Sequence, residues 1–104
     1  MRWLESIRLQ TGPDRTKKAQ HVLNALARDI RSGGAGPDFT DAVLYRHASV
    51  PGLFVLCIWR SDSGAGDARS QAAQQIAETA RGLGLVSHSV WVHDQDAEHE
   101  DGSA

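Results

Sequence analysis

Two different periods of apolar residues mark the first third of the chain. Residues 3–10 alternate between apolar and polar side chains, which predicts a strand with one apolar face. Residues 14–32 carry apolar side chains at spacings of three and four, the period of an amphipathic helix. Asp14 is expected to cap the start of this helix, and the glycines at 33–34 to end it. The apolar stripe consists of Ala19, Val22, Leu23, Leu26, Ala27 and Ile30.

Two extended segments, residues 41–48 and 53–60, follow the first helix. The sequence Ser49-Val50-Pro51-Gly52 separates them. Proline fixes φ at one turn position, and the glycine after it tolerates a positive φ. Two strands joined by such a short turn form an antiparallel hairpin.

A second helix and a last strand complete the pattern. Residues 69–82 carry a helical apolar stripe, and residues 85–93 alternate with a period of two. The order strand, helix, strand, strand, helix, strand is the ferredoxin-like β-α-β-β-α-β motif. Right-handed crossovers place both helices on one face of a four-stranded antiparallel sheet. Residues 1–93 are therefore expected to form one α+β domain. The second stripe consists of Ala73, Ile76, Ala77 and Ala80.

The third strand predicts self-association. Residues 53–58 are apolar at every position, as expected of a central strand that is covered on both sides. Two helices on one face leave the other face of the sheet uncovered. A second copy of the same sheet is the simplest cover for a chain of this length. We therefore expect a homodimer that forms through the sheet face.

Composition narrows the function classes. The chain has 104 residues, 11.3 kDa and a formal net charge of -2. Residues 94–104 hold five of the 13 acidic residues and none of the 11 basic ones, so we expect an acidic, flexible tail. The basic residues elsewhere are scattered, which argues against nucleic acid as a partner. No apolar run is long enough to span a membrane, and Glu5 interrupts any signal-like start. A cytoplasmic protein is expected.

Two strand residues and an arginine are candidates for chemistry. Tyr45 and His47 share strand parity, so both side chains project to one face near the hairpin. His47 is a candidate general base because imidazole titrates near neutral pH. The alternative is a half-exposed histidine at a strand end. Arg8 lies on the polar face of the first strand, where it is either an anion-binding residue or an ordinary surface arginine.

The tryptophans, two further histidines and the cysteine are less specific indicators of a functional site. Trp3, Trp59 and Trp91 each lie near a strand end and suit a flat aromatic ligand, although core or dimer packing explains them equally well. His88 and His93 are five residues apart on one strand and face opposite ways, which argues against a shared metal ion. Cys57 lies in an apolar run and is expected to be a small hydrophobic residue. No cofactor is predicted.

The element order, the length and an apolar third strand ending in Trp59 resemble the dimeric α+β barrel superfamily, especially the small antibiotic biosynthesis monooxygenase-like proteins. The resemblance covers roughly residues 3–93. It implies a dimer whose sheets pack face to face, and a pocket between each sheet and its helices or loops. Members of the superfamily include cofactor-independent monooxygenases that act on aromatic polyketides or quinols, and haem-degrading enzymes.

The chain also departs from the patterns of the active family members. Residues 60–87 contain no histidine, where the family commonly has a helix-borne one, and residues 3–10 lack the asparagine of the haem-degrading branch. Haem degradation is disfavoured, and monooxygenase chemistry is permitted. The sequence therefore predicts a dimer that binds a small hydrophobic or aromatic molecule, with or without oxidising it. The alternative is a non-catalytic ligand-sensing or protein-interaction module of the same fold.

Overall fold

A computed structural model of the protein describes residues 2–61 and 69–93. Its elements follow the predicted order, and each boundary lies within two residues of the predicted one. The elements are β1 (Arg2–Thr11), α1 (Thr16–Arg31), β2 (Phe39–Arg46), β3 (Leu53–Ser61), α2 (Gln71–Arg81) and β4 (Gly84–Val92).

The four strands form one sheet in the order β2-β3-β1-β4, with every neighbouring pair antiparallel. The two β-α-β halves therefore place β1 and β3 at the centre of the sheet. Both helices pack on the same face, because one buried cluster joins residues of α1 and α2 to Ile7, Leu56 and Ile58 of the central strands. The predicted ferredoxin-like fold is confirmed.

The core lies between this face and the two helices. Every second residue of β1 from Trp3 to Thr11 is buried, and the buried positions of β3 alternate in the same way from Phe54 to Arg60. The helices contribute small and branched side chains, which allow them to approach the sheet closely. The buried helical residues are Ala19, Leu23, Ala27, Ile30, Ala73, Ile76, Ala77 and Ala80, all from the two predicted stripes.

The start of α1 differs from the expectation. The helix begins at Thr16 after Arg15, and no side chain caps it. The backbone N–H of Arg15 donates to the carbonyl of Gly12 at 3.1 Å, closing a turn that holds Asp14 outside the capping position. The prediction of Asp14 as the N-cap was therefore wrong.

The end of α1 agrees with the expectation. Gly33 has a φ of 96°, its N–H donates to the carbonyl of Ile30, and the N–H of Gly34 donates to that of Asp29. This hydrogen-bond pair is a Schellman motif, which requires the left-handed conformation that glycine adopts freely.

Some of the sequence predictions fall on residues that are not described. The acidic tail at 94–104 and most of the loop before α2 lie outside the described ranges. Within those ranges, no helix is long and apolar enough to cross a membrane.

Candidate functional site

The sheet has an open face, which is the face turned away from both helices. Strand pairing fixes its rows: Arg8 lies between Ser87 on β4 and Val55 on β3, and Val55 in turn pairs with Tyr45 on β2. The strand residues of the open face are Arg2, Leu4, Ser6, Arg8, Gln10, Asp41, Val43, Tyr45, Leu53, Val55, Cys57, Trp59, Ser61, Leu85, Ser87, Ser89 and Trp91. His47 follows β2 with the same parity, and its N–H donates to the carbonyl of Leu53 at 2.8 Å.

All five predicted site residues therefore belong to the open face. Four of them, Arg8, Tyr45, His47 and Trp91, line one groove of about 440 Å³. Trp59 lies outside this groove, in an adjoining hollow of about 330 Å³ that shares Trp91. The structure thus brings four of the predicted residues together and leaves the fifth next to them.

Two aromatic rings bound the groove. Tyr45 is 51% exposed and Trp91 is 59% exposed, so both present apolar surface to the groove. The indole N–H of Trp91 donates to Ser6 Oγ at 3.1 Å, which holds the ring against the sheet. A ring fixed in this way provides a flat apolar wall with little loss of conformational freedom on binding.

The hairpin turn fixes His47. The backbone N–H groups of Ser49 and Val50 donate to His47 Nδ1 at 3.0 and 2.9 Å. Because a backbone N–H is only a donor, Nδ1 is the acceptor nitrogen and Nε2 carries the proton of the neutral ring. In this geometry His47 offers a ligand an N–H donor. For His47 to act as a general base through Nδ1, this nitrogen must first give up its hydrogen bonds from Ser49 and Val50.

The same turn is docked on the end of β1. Gly52 has a φ of 77°, as the predicted turn requires. Its carbonyl accepts from the N–H of Thr11 at 2.9 Å. A Cβ at this position would lie 2.8 Å from the carbonyl oxygen and the hydroxyl of Thr11. Glycine at position 52 therefore allows both the turn conformation and the close packing of the turn against Thr11, which together position His47 at the edge of the groove.

The charged side chains that line the groove are all basic. Arg8 and Arg46 line it together with His47, and none of its lining residues is acidic. Arg8 is exposed, and its side chain has no hydrogen-bond or ion-pair partner among residues 2–61 and 69–93. The groove thus combines apolar walls, positive charge and the hydroxyl groups of the serines at its β4 side.

Cys57 lies in the centre of the open face, in the row of Ser6 and Val43. Its side chain is half-buried, and burial raises the pKa of its thiol. A thiol that is harder to ionise is a poorer nucleophile at neutral pH. Cys57 therefore acts as a small packing residue in the described structure.

The helix-covered face contains a polar cluster that the sequence reasoning missed. Glu5 is fully buried, and its Oε1 accepts from His88 Nε2 at 2.9 Å and from the backbone N–H of Ser70 at 3.0 Å. Arg60 Nε lies 3.1 Å from Glu5 Oε2, close enough for an ion pair although the N–H is not aligned for a hydrogen bond. The Arg60 guanidinium also stacks over Trp3, 5.4 Å from the ring centroid.

This Glu5 cluster fastens α2 to the sheet. Ser70 caps the helix by accepting from the N–H of Ala73 at 3.1 Å, and the N–H of Ser70 itself binds Glu5 on β1. Arg69 donates to the carbonyl of His88 on β4 at 3.1 Å. The start of α2 is thus tied to two strands, and the cluster has a structural role in the described part of the chain.

The sequence contained a signal for the cluster. Glu5, Arg60 and His88 each occupy the inward phase of a strand whose other inward residues are largely apolar. Buried ionisable residues of this kind are rare unless they are paired. Three such residues on three neighbouring strands predict a buried network once the strand register is known.

Comparison with known proteins adds to this picture at the level of fold. No protein-family model matches the chain, and no curated protein matches it. Solved structures do match. Rv0793 from Mycobacterium tuberculosis is 18% identical, with 90% of this chain and 96% of that chain covered and a TM-score of 0.69.

Two further matches carry functional names. The cofactor-independent oxygenase SnoaB from Streptomyces nogalater is 14% identical over 88% of this chain and 92% of its own, with a TM-score of 0.65. An antibiotic biosynthesis monooxygenase is 16% identical over 90% and 97%, with a TM-score of 0.64. At these identities the likeness establishes the fold. The chain has the α+β fold of the antibiotic biosynthesis monooxygenase-like proteins, which confirms the resemblance seen in the sequence.

Proposed function

We propose that the protein is a homodimer that forms through the open face and binds a small aromatic molecule in the groove. The observation that carries the proposal is the open face itself, which displays Tyr45, Trp59 and Trp91 on a sheet whose other face packs against both helices. Contiguous exposed apolar surface of this kind marks interaction sites in soluble proteins. A second copy is the simplest partner, because one surface then serves both subunits.

The charge distribution suggests which part of the face the second copy covers. Leu4, Trp59 and Trp91 form an aromatic end, and the charged residues beside it, Arg2 and Asp41, are of opposite sign. The groove at the other end contains Arg8 and Arg46. Packing the groove against itself would bring like charges together, which is unfavourable in a dehydrated interface. The dimer we propose therefore buries Leu4 and Trp59 and leaves the groove as a pocket at its edge, with Trp91 at the boundary between the two.

The dimensions of the groove fit a ligand of moderate size. Its volume of about 440 Å³ lies within the usual range for small-molecule sites. Tyr45 and Trp91 supply stacking surface, while the groove's arginines and serines supply directional contacts. Trp59 lies in the adjoining hollow, which the second copy covers in the proposed dimer. A planar molecule of two or three fused rings matches this arrangement.

Cofactor-independent oxygenation is the activity we propose to test at this site. SnoaB, which has the same fold, is named for such an activity. In a reaction of this type, an activated CH₂ group of a hydroxylated aromatic ring system and O₂ become a ring carbonyl and water. The ring system loses two hydrogens, and O₂ is fully reduced. A cationic groove favours the ionised, electron-rich form of the substrate that must react with O₂.

The non-catalytic alternative is favoured by one observation. Oxygenation needs a group that accepts a proton from the substrate, but the acceptor nitrogen of His47 already holds two backbone N–H groups. The groove has no acidic side chain to take its place. On this alternative the dimer binds the aromatic molecule without changing it.

The test combines binding and oxygen uptake with 1,8-dihydroxyanthrone as the probe. The oxygenase predicts saturable binding and stoichiometric conversion of the anthrone and O₂ to the anthraquinone and water, above the protein-free rate. The ligand-binding alternative predicts binding without this excess. His47→Ala should weaken binding, whereas His21→Ala, on the exposed side of α1, should not. Absence of binding to this probe and to a panel of two- and three-ring aromatics would contradict the proposed function.

A further inference from the structure

Arg8 is unusual among the arginines of the described structure. It lies in the interior of a central strand, in a row with the uncharged Val55 and Ser87, and its side chain has no partner among the described residues. Arg2 and Arg46, at strand ends, and Arg28, on the exposed side of α1, also have no partner among the described residues, but none of them lies inside a central strand. The other five described arginines have protein partners that account for their positions. Arg15, Arg31 and Arg69 donate to backbone carbonyls, and Arg60 and Arg81 pair with carboxylates.

A free guanidinium on a central strand adds nothing to the stability of the sheet. Its neighbours in the row, Val55 and Ser87, carry no charge. A ligand that fills the groove, as we propose above, covers Arg8 and removes part of its hydration. A cation that is dehydrated without a counter-charge is costly, so the covered state requires an anion near Arg8.

No acidic residue of the described chain lies close enough to Arg8 to serve as that anion. The only acidic strand residue on the open face is Asp41, which pairs with Trp59. Asp41 lies four residues along the sheet and two strands across from Arg8, about 13 Å and about 10 Å by strand geometry. Its Oδ1 also accepts from the N–H of Ala42 at 2.8 Å. Asp41 therefore cannot neutralise Arg8 of the same subunit.

The groove's geometry points to the ligand as the source of the charge. Tyr45 lies in the row of Arg8, two strand spacings or about 10 Å away. A fused ring system fits between the aromatic wall and the guanidinium, with its charged substituent directed at Arg8. Guanidinium groups bind carboxylates in a bidentate manner and also pair with phenolates.

We propose that the ligand is a planar aromatic anion, an aryl carboxylate or an aryl oxide, and that Arg8 is the residue that selects it. This inference rests on the proposed function, because it specifies the charge of a molecule bound in the same groove. The imidazole N–H of His47 and the guanidinium of Arg46 are further cationic or donor groups on the groove's rim. Neutral aromatics of the same shape then bind more weakly.

Calorimetric titration with matched probes tests the inference at pH 8. The probes are 2-naphthoate, the phenolate of 4-nitro-1-naphthol, and the neutral 2-naphthamide. The wild-type protein should bind an anion roughly tenfold more tightly than the amide, as expected for one charge-assisted contact. Preference for naphthoate identifies a carboxylate ligand, and preference for the naphtholate identifies an aryl oxide. Added salt should reduce either preference.

Variants assign the preference to Arg8. Arg8→Gln should bind the three probes with similar affinity while it keeps the circular dichroism spectrum and the mass of the wild-type protein. Arg28→Gln, on the exposed side of α1, should retain the full preference. Arg8→Lys should retain part of it, because the charge remains but the planar fork is lost.

The outcomes separate the inference from the proposed function. If the wild-type protein binds naphthamide as tightly as both anions, the anion inference is wrong and aromatic binding stands. If it binds none of the probes, both fail. A rival arrangement pairs Arg8 with Asp41 of the partner subunit. That arrangement predicts no anion preference in the wild-type protein and the appearance of one in Asp41→Asn, a result that would also overturn the inference.

Discussion

Three charged or titratable side chains are buried on the helix-covered face of the sheet, and Glu5 is the one that joins them. Its carboxylate meets His88, Arg60 and the first turn of α2 at the same time. Removal of the Glu5 charge weakens all three contacts at once. Within this cluster, Glu5 is therefore the residue whose loss should destabilise the fold most.

Substitution of Glu5 tests this assignment. We expect Glu5→Gln to lower the free energy of unfolding by about 3 kcal/mol, because the buried Arg60 loses the carboxylate that lies 3.1 Å from its Nε. Glu78→Gln is the matched control: Glu78 is exposed and pairs with Arg81 on the surface of α2, so the loss should stay within about 0.5 kcal/mol. Urea denaturation at one protein concentration measures both. Equal effects of the two substitutions would show that the cluster does not anchor α2.

At the same scale, the structure changes the chemical interpretation of His47. The sequence correctly placed His47 and Tyr45 on one side of the hairpin, since parity alone decides this. The sequence did not reveal that the turn's own N–H groups occupy Nδ1, because such contacts depend on the conformation of residues 47–50. A candidate base is thus presented to the groove as a hydrogen-bond donor. Its role as a catalytic residue remains a prediction.

At the scale of the elements, periodicity was sufficient to predict all six helices and strands. The end of α1 was predicted correctly, because glycine at 33 adopts the left-handed conformation that this helix end needs. The start of α1 was not, because Asp14 only has a side-chain preference for the capping position and does not occupy it. Strand register was beyond the sequence. It decides that Trp3 is buried with the helices while Trp59 and Trp91 share the open face. The same register brings Glu5, Arg60 and His88 together, which single strands considered separately do not indicate.

Two adjacent residues of the central strand β3, Leu56 and Cys57, lie on opposite faces of the sheet, so the same substitution at each tests the two faces separately. Leu56→Asp places a charge among buried residues beneath the helices and should prevent folding. Cys57→Asp places the same charge on the open face. We expect this variant to keep its helical circular dichroism but to dimerise at least about 100-fold more weakly, since the charge lies in the proposed interface.

Sedimentation equilibrium together with circular dichroism distinguishes the two effects. Cys57→Ser is the control, because it changes the polarity of this position without adding a charge. If Cys57→Asp stays folded and associates as strongly as the wild-type protein, the second copy does not cover the centre of the open face.

At the scale of the whole molecule, the two faces of the sheet have different functions in this account. The inner face, with its alternating buried residues and the Glu5 cluster, maintains the fold and holds α2. The open face carries the aromatic end, which we assign to the second copy, and the cationic groove, which we assign to a ligand. Four of the five residues proposed from sequence lie in that groove because strand parity places them on one face, whereas its other lining residues and its charge asymmetry required the structure.

The central claim is that a second copy of the chain covers the open face, and the mass of the particle in solution tests it most directly. Size-exclusion chromatography with multi-angle light scattering at micromolar concentration should give one species of twice the chain mass of 11.3 kDa. A single folded species of 11.3 kDa at the same concentration would contradict the account, because the exposed aromatic surface would then have no partner in this protein.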